Sequence, residues 1–261
     1  MNGVQLKSVA ELALQREAGL LLAQVFSMLD QHIVAGISTL QINDLVERYI
    51  IQDLQARPAS KGQYGFAYVL NTSVNEVVCH GVPSATQLLK NGDIVNVDIT
   101  LEKHGFIADS SKMYGVGKLA VKAQQLIDDC YQALWLGISA VKPGARLGDI
   151  GFAIEQFARS KGYSVVREYC GHGIGREMHE APQVLHYGVV GTGLLLKPSM
   201  VFTVEPMLNQ RSAKIKTKKD GWTVVTRDKK LSAQWEHTVA VTETGVEVLT
   251  LREGEHGLLN R

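Results

Sequence analysis

Two carboxylates stand in strand-like apolar runs where an unpaired charge is out of place. Asp98 closes Asp93-Ile94-Val95-Asn96-Val97-Asp98, and Glu205 closes Met200-Val201-Phe202-Thr203-Val204-Glu205. Burying an unpaired carboxylate costs several kcal/mol or forces its protonation, so an acid in such a setting calls for a cation. Each run has a later neighbour that carries a further acid, Asp109 after the first and Glu236 after the second. Four carboxylates in one pocket cannot all stay ionised, because like charges a few Å apart push one another's pKa upward. Two divalent metals about 3.5–4 Å apart resolve that conflict and generate a water-derived nucleophile at neutral pH. Oxygen ligands with an imidazole suit Mn, Fe, Co or Zn, whereas carboxylates alone lean toward Mg.

The histidines divide by context. His172 lies in Cys170-Gly171-His172-Gly173-Ile174-Gly175, where flanking glycines allow close backbone approach, and it reads as a ligand. His80 and His179 are open between ligand, acid/base and core roles. His237 alternates to the face opposite Glu236 and reads as packing, while His32, His104, His186 and His256 read as solvated. Cys170 with His172 could form a soft zinc site, but there is no CxxC partner, and four acids favour oxygen ligation. The spacing does not match His-Glu-x-x-His, which excludes a zincin-type helix site.

The elements that must position these groups repeat once along the chain. Ala35-Gly36 precedes a helix with Ile42, Glu47 and Tyr49, and Pro143-Gly144 precedes one with Ile150, Glu155 and Phe157, an offset of 108. The acid-bearing strands match at an offset of 107, with Asn96 and Thr203 each two residues before the acid and so on its face. A His-Gly pair precedes each strand, His80-Gly81 and His172-Gly173. Two similar α/β halves, roughly 8–118 and 119–252, would then face each other and bring Asp98 and Glu205 together. Periodicity gives helices over 8–33, from Ser38-Thr39 through Ile50, over 119–140 and from near Asp149 to Gly162. Strands are expected at Val77–His80, through Asp98, back from a Lys103-His104-Gly105 turn over Phe106–Val116, and at Ser164–Tyr169, Met200–Glu205, Trp222–Thr226 and Ser232–Val241. Residues 57–75 read as loop, with turn chemistry around Phe66–Leu70.

Several strings closely resemble the type I methionine aminopeptidases: Glu76-Val77-Val78-Cys79-His80-Gly81-Val82-Pro83, the Asp98 strand, Asp109-Ser110-Ser111-Lys112, Val165 through Gly175, His179-Glu180, Glu205-Pro206-Met207 and Gln234-Trp235-Glu236-His237-Thr238. The likeness runs from about residue 8 to 252 in the short bacterial form, without the zinc-binding N-terminal extension or the helical insertion of the type II enzymes. It implies an α+β pita-bread fold in a single catalytic domain over 1–261. It also implies hydrolytic removal of initiator methionine from peptides and nascent chains whose second residue is small. Carried over position by position, Asp98, Asp109, His172, Glu205 and Glu236 would bind two divalent metals, with Asp109 and Glu236 bridging. His179 would steady the scissile carbonyl, His80 would position the amine end, and Glu205 would double as proton shuttle. Trp222 would wall the methionine pocket. Asn75, Val77 and Ser232 match positions whose carbonyls hold a monovalent cation in some members.

The departures fall in that pocket. Ser60 and Asn71 stand where many members have cysteine, Gln63 and Phe66 where tyrosine is frequent, and Met178 where phenylalanine is. A thioether pocket needs apolar, polarizable walls, so Asn71 and Gln63 would narrow or polarise it. Two other readings share parts of the pattern: a dipeptidase or Xaa-Pro peptidase with the same metal chemistry, and a non-catalytic peptide- or ribosome-binding paralogue.

Bulk properties agree with an ordinary soluble protein. A net charge of +1 gives no reason to expect nucleic acid or an anionic membrane as main partner. Lys214-Ile215-Lys216-Thr217-Lys218-Lys219 reads as a solvated hairpin. Three cysteines argue against a disulfide framework, and no window approaches a continuous run of about 18 apolar residues. With no signal-like start, a cytoplasmic monomer is expected, meeting peptide and nascent-chain N-termini, with transient ribosome association one option. Asn2 is large for a second residue, so Met1 is expected to be retained.

Overall fold

The computed structural model describes residues 3–255, so the Met1–Asn2 start and the solvated reading of His256 lie outside the described residues. Helix α1 (Val9–Leu29) begins at Ser8, whose side chain accepts from the Glu11 N–H while Glu11 caps the Ser8 N–H in return. Ser38 and Gln41 form the same reciprocal cap on α2 (Thr39–Arg48), which runs on as a wider turn over Tyr49–Asp53. Strands β1 (Arg57–Pro58), β2 (Leu70–Val74), β3 (Val77–Cys79), β4 (Ile94–Lys103) and β5 (Phe106–Gly115) complete the first half. The second half opens with α3 (Val121–Ser139) and α4 (Leu147–Ser160). Ten short strands follow: β6 (Ser164–Val165), β7 (Gly171–Gly173), β8 (Glu180–Val184), β9 (Val201–Val204), β10 (Met207–Asn209), β11 (Ile215–Thr217), β12 (Val224–Thr226), β13 (Ser232–Gln234), β14 (His237–Val241) and β15 (Val246–Val248).

The two halves are built alike. In the first, β4 pairs antiparallel with β5 on one side and with β2 and β1 on the other. In the second, β9 pairs antiparallel with β14 inside a five-stranded sheet ordered β15-β14-β9-β7-β8. A helix pair covers the outer face of each sheet, and each pair has its own core. Leu22, Phe26, Ile42 and Val46 pack with Val95, Val97, Ile99 and Leu101 under α1 and α2. Leu134, Trp135, Ile150 and Ile154 pack with Phe202, Val204 and Val239 under α3 and α4. Because side chains alternate across a strand, those choices turn Asn96, Asp98 and Thr100 the other way, toward the seam between the halves. At that seam a single bridge pairs Ser111 of β5 with Glu236.

Three expectations need correction. Residues 57–75 are not all loop: Leu70–Val74 is a central strand in register with β4, Leu70 opposite Ile99 and Val74 opposite Val95. Asn71, Thr72 and Ser73 have turn chemistry in isolation, but pairing with a buried neighbour overrides that preference. Nor is Ser232–Val241 one strand. It breaks at Trp235-Glu236, β13 joining β10 and β6 while β14 joins β9. The Ser164–Tyr169 run is strand only at Ser164–Val165. The lysine run forms β11, the exposed arm of a hairpin whose other arm, β12, is buried. No helix among the described residues is long and apolar enough to cross a membrane.

Candidate active site

Four strand positions deliver the acids to the seam. Asp98 sits within β4, Asp109 within β5, Glu205 directly after β9 where Pro206 ends the ladder, and Glu236 in the break between β13 and β14. Asp109, Glu205 and Glu236 are buried, and one ligand atom each from Asp109, His172 and Glu236 lie within 4.8 Å of one another. His172 Nε2 is 3.8 Å from Asp109 Oδ2 and 3.5 Å from Glu205 Oε1. Asp98 reaches Asp109 directly, side chain to side chain. The polar residues two before each strand acid share its face, as expected: Thr203 Oγ1 donates to Glu205 Oε1 at 2.8 Å, and Asn96 Nδ2 donates to the Gln234 carbonyl at 2.8 Å.

His172 is held in a metal-binding tautomer. Its Nδ1–H donates to the Gly173 carbonyl at 3.1 Å, which leaves the Nε2 lone pair facing the carboxylates. Burial first, and then the neighbouring His179 ring, hold its pKa down to about 4, so the ring is neutral. The glycines beside it are there for space. A Cβ on Gly171 would lie 2.3 Å from the Thr203 carbonyl oxygen, and one on Gly173 would lie 2.0 Å from that of Ala181.

Asp109, His172 and Glu236 therefore bring ligand atoms together at the seam. Asp109 Oδ1 is buried without a hydrogen-bond partner. Burial pushes the Asp98 carboxyl up to about 7 and the Glu205 carboxyl up to about 8. Asp109 and Glu236 are raised strongly as well, by burial first and then by the charges of the surrounding acids. A largely enclosed, neutral imidazole among oxygen donors fits a divalent cation of the Mn, Fe, Co or Zn kind.

Contacts behind the acids hold them in place. Arg252, 4% exposed, donates through Nη2 to Ser110 Oγ at 2.6 Å, to the Ser111 carbonyl at 2.7 Å and to the Glu236 carbonyl at 3.3 Å. One side chain thus ties β5 to the Glu236 break, across the seam. It lies against the Phe26 ring and pairs with Glu255, which in turn faces His237 Nε2 at 3.3 Å. His237 is buried, in agreement with its packing role. His186 is not solvated as expected. It is 1% exposed, and its Nε2 accepts the Glu205 N–H at 3.1 Å. Nothing near it in the sequence announces that contact; neither His186 nor Arg252 stands out until the chain is folded.

In front of the acids is a cavity of about 430 Å³. It is lined by all five predicted metal-binding residues and by His80, His179, Trp222, Phe66, Asn71, Gln63 and Met178. Phe66 and Trp222 meet with ring centroids 4.9 Å apart. The lining also has a polar part: Ser60 and Thr100 share a hydrogen bond, and Asn71 lies beside Asp98 in register. His80 stands in the left-handed region at φ 54 with its ring edge-on to Tyr169, and His179 packs against His172 at 4.4 Å between ring centroids. Glu180 anchors the turn that carries His179, pairing with Lys7 at 2.6 Å and accepting from the N–H groups of Arg176 and Glu177. Tyr64, expected only as part of a turn, also lines the cavity. Asn75 and Ser232 meet away from it, where the Ser232 N–H donates to the Asn75 carbonyl at 3.0 Å and the Ser232 hydroxyl is buried without a partner.

A family model described as metallopeptidase family M24 matches residues 13–243. The chain belongs to that family. Its relatives within that family include methionine aminopeptidases. The Escherichia coli K12 methionine aminopeptidase is 46% identical over 252 residues, covering 97% of this chain and 96% of that one. Methionine aminopeptidase B of Synechocystis is 47% identical over 255 residues, covering 96% and 93%. The crystal structure of the Rickettsia prowazekii methionine aminopeptidase superposes with a TM-score of 0.93 at 46% identity, over 95% of this chain and all of that one. Prolidase from Pyrococcus furiosus, 21% identical, shares the fold at a TM-score of 0.77, and this chain covers 66% of it. The two-halved sheet arrangement is therefore the pita-bread fold of M24 metallopeptidases, as expected.

Proposed function

We propose that this chain is a metal-dependent methionine aminopeptidase that removes the initiator methionine from peptides and nascent chains with a small second residue. The observation that carries the reading is the convergence of the His172 Nε2 lone pair with Asp109 and Glu236 at a buried point, in a family of metallopeptidases. Asp98, Asp109, His172, Glu205 and Glu236 would hold two divalent ions drawn from Mn, Co, Fe and Zn, with Asp109 and Glu236 as the shared pair. Such ions, when bound, supply Lewis acidity and bring the pKa of a water near neutrality.

The chain's own residues do the rest. Glu205, held at Oε1 by the Thr203 hydroxyl, accepts a proton at the cavity wall and returns it to the departing amine. His179, at the cavity mouth, donates to the scissile carbonyl oxygen and steadies the charge that develops there. His80, fixed edge-on to Tyr169, orients the substrate's amine end. The apolar wall of Phe66, Trp222 and Met178 receives the methionine side chain, and the wall carrying Asn71 and Gln63 bounds it. Asn75, Val77 and Ser232 would hold a monovalent cation through their carbonyls. The chain would act as a single catalytic domain and as a monomer in the cytoplasm, meeting nascent chains by transient ribosome association.

Protein charged with Mn²⁺ or Co²⁺ should release methionine from Met-Gly-Met, and Asp98→Asn should lower kcat/KM by about 100-fold or more, beyond what loss of an outer-shell partner costs. Folded protein with no release in either metal overturns the reading. Faster cleavage of Xaa-Pro than Met-Ala peptides would move it to the prolidase branch of the fold.

A further inference from the structure

Tyr64 is an expensive residue in an unusual place. It lies in a tight turn with Gly62 at φ +90, Tyr64 itself at φ 49 and ψ 22, and Gly65 at φ +85. Glycine adopts the left-handed region freely, but a bulky aromatic there is an outlier that costs on the order of 1 kcal/mol or more. Such strain persists where surrounding contacts, or a function, require it.

Burial does not account for it, since Tyr64 is 72% exposed. Its ring and its hydroxyl both meet His179. The ring stacks on His179, with centroids 5.8 Å apart and planes 18° from parallel, and its hydroxyl lies 3.2 Å from His179 Nδ1. A phenol O–H that donates to Nδ1 leaves the ring proton of His179 on Nε2, the nitrogen that must carry it to donate to a carbonyl oxygen. One edge of the aromatic ring stays open to solvent at the rim of the cavity that holds the acids.

The substrate's path gives that open edge a use. On the aminopeptidase reading the removed residue lies in the cavity, and the chain that follows the cut bond leaves past its exposed rim, where Tyr64 and His179 stand. We propose that Tyr64 is a specificity-determining residue: its ring packs against the second residue of the substrate, and its hydroxyl positions His179. The proposal rests on the aminopeptidase reading of the site.

The two roles separate in two variants, Tyr64→Phe and Tyr64→Ala. Both sit on an exposed side chain, and unchanged thermal midpoints will establish that both fold. Kinetics are measured in Mn²⁺ on methioninamide, which has nothing past the cut bond, and on Met-Gly-Ser, Met-Ala-Ser and Met-Val-Ser. Tyr64→Phe loses one hydrogen bond, so kcat should fall about 2- to 12-fold on every substrate, methioninamide included, with KM unchanged. Tyr64→Ala should also raise KM several-fold for the tripeptides alone and compress their ranking. Wild-type constants for both variants on all four substrates overturn the proposal. A Tyr64→Ala loss equal on methioninamide and tripeptides overturns the contact with the second residue. If the wild type releases no methionine at all, the aminopeptidase reading fails. Calorimetric binding of Met-Ala-Ser to the wild type and to Tyr64→Ala then decides the tyrosine separately, equal affinities or no binding overturning it.

Discussion

Replacing Arg252 by methionine should unfasten the two halves directly behind the acids. The guanidinium is buried, donates to three oxygens across the seam and pairs with Glu255 at 2.9 Å. Removing one partner of a buried ion pair costs about 3–5 kcal/mol. Loss of the contact with Phe26, where the guanidinium lies 4.5 Å from the ring centroid, adds about 0.5–2 kcal/mol. Two features work the other way. The oxygens keep other donors, since the Ser111 carbonyl accepts the Glu236 N–H and the Glu236 carbonyl accepts the Ser110 hydroxyl. Among the described residues Arg252 Nε is buried without a partner, and removing that orphan returns about 1–3 kcal/mol. The balance is about 3 kcal/mol, or a drop of about 6–12 °C in Tm at roughly 2–4 °C per kcal/mol for a chain of this size. Thermal melts of chelated protein read this term free of metal linkage. Arg252→Lys keeps the charge but not the fork, and should fall between the two. Calorimetric titration with Mn²⁺ should then show about 10- to 100-fold weaker binding, because the Glu236 backbone has lost its support. An Arg252→Met protein within about 1 kcal/mol of wild type, with unchanged metal affinity, would falsify the idea of a seam held by this side chain.

Three further outcomes follow from the site. In metal-free protein, burial raises Asp98 to about 7 and Glu205 to about 8, so the folded state binds more protons than the unfolded one above the ordinary carboxyl range. Its stability should therefore fall as pH rises from about 4 to about 8, and Mn²⁺ should flatten that slope; urea titrations at pH 5 and pH 8 measure both. Gly173→Ala puts a Cβ 2.0 Å from the Ala181 carbonyl oxygen, and melting should show a loss of about 1–3 kcal/mol together with weaker metal binding beside His172. Glu205→Gln keeps a group that can accept from Thr203 yet cannot shuttle a proton, so kcat should fall about 10²- to 10⁴-fold in steady-state assays of folded protein.

The main frame of the site was legible because it follows from alternation. An apolar strand that buries Val95, Val97 and Ile99 against helices must present Asn96 and Asp98 on its other face, and the second half repeats the arrangement with Thr203 and Glu205. Other parts depended on partners far along the chain. Leu70–Val74 becomes a strand because β4 lies beside it, against the turn preference of Asn71, Thr72 and Ser73. His186 is buried because the Glu205 N–H needs an acceptor, and Arg252 matters only once β5 and the Glu236 break have met. Tyr64 offered a local sign in its flanking glycines, but its stacking partner lies 115 residues away.

The bridge between Ser111 and Glu236, with Arg252 behind it, also sets a clock. The acids are spread from residue 98 to residue 236, and the side chain that clamps them comes later still, close to the last of the described residues. A chain made from its amino end at about 5–20 residues per second carries Asp98 and Asp109 out of the ribosome many seconds before their partners exist. Through that interval the first half can fold on its own core while its acids wait without their counterparts. Hydrolytic capacity then arrives late and all at once, when the final strands dock. A peptidase assembled this way has no competent partial form to act on its neighbours while it is still being made.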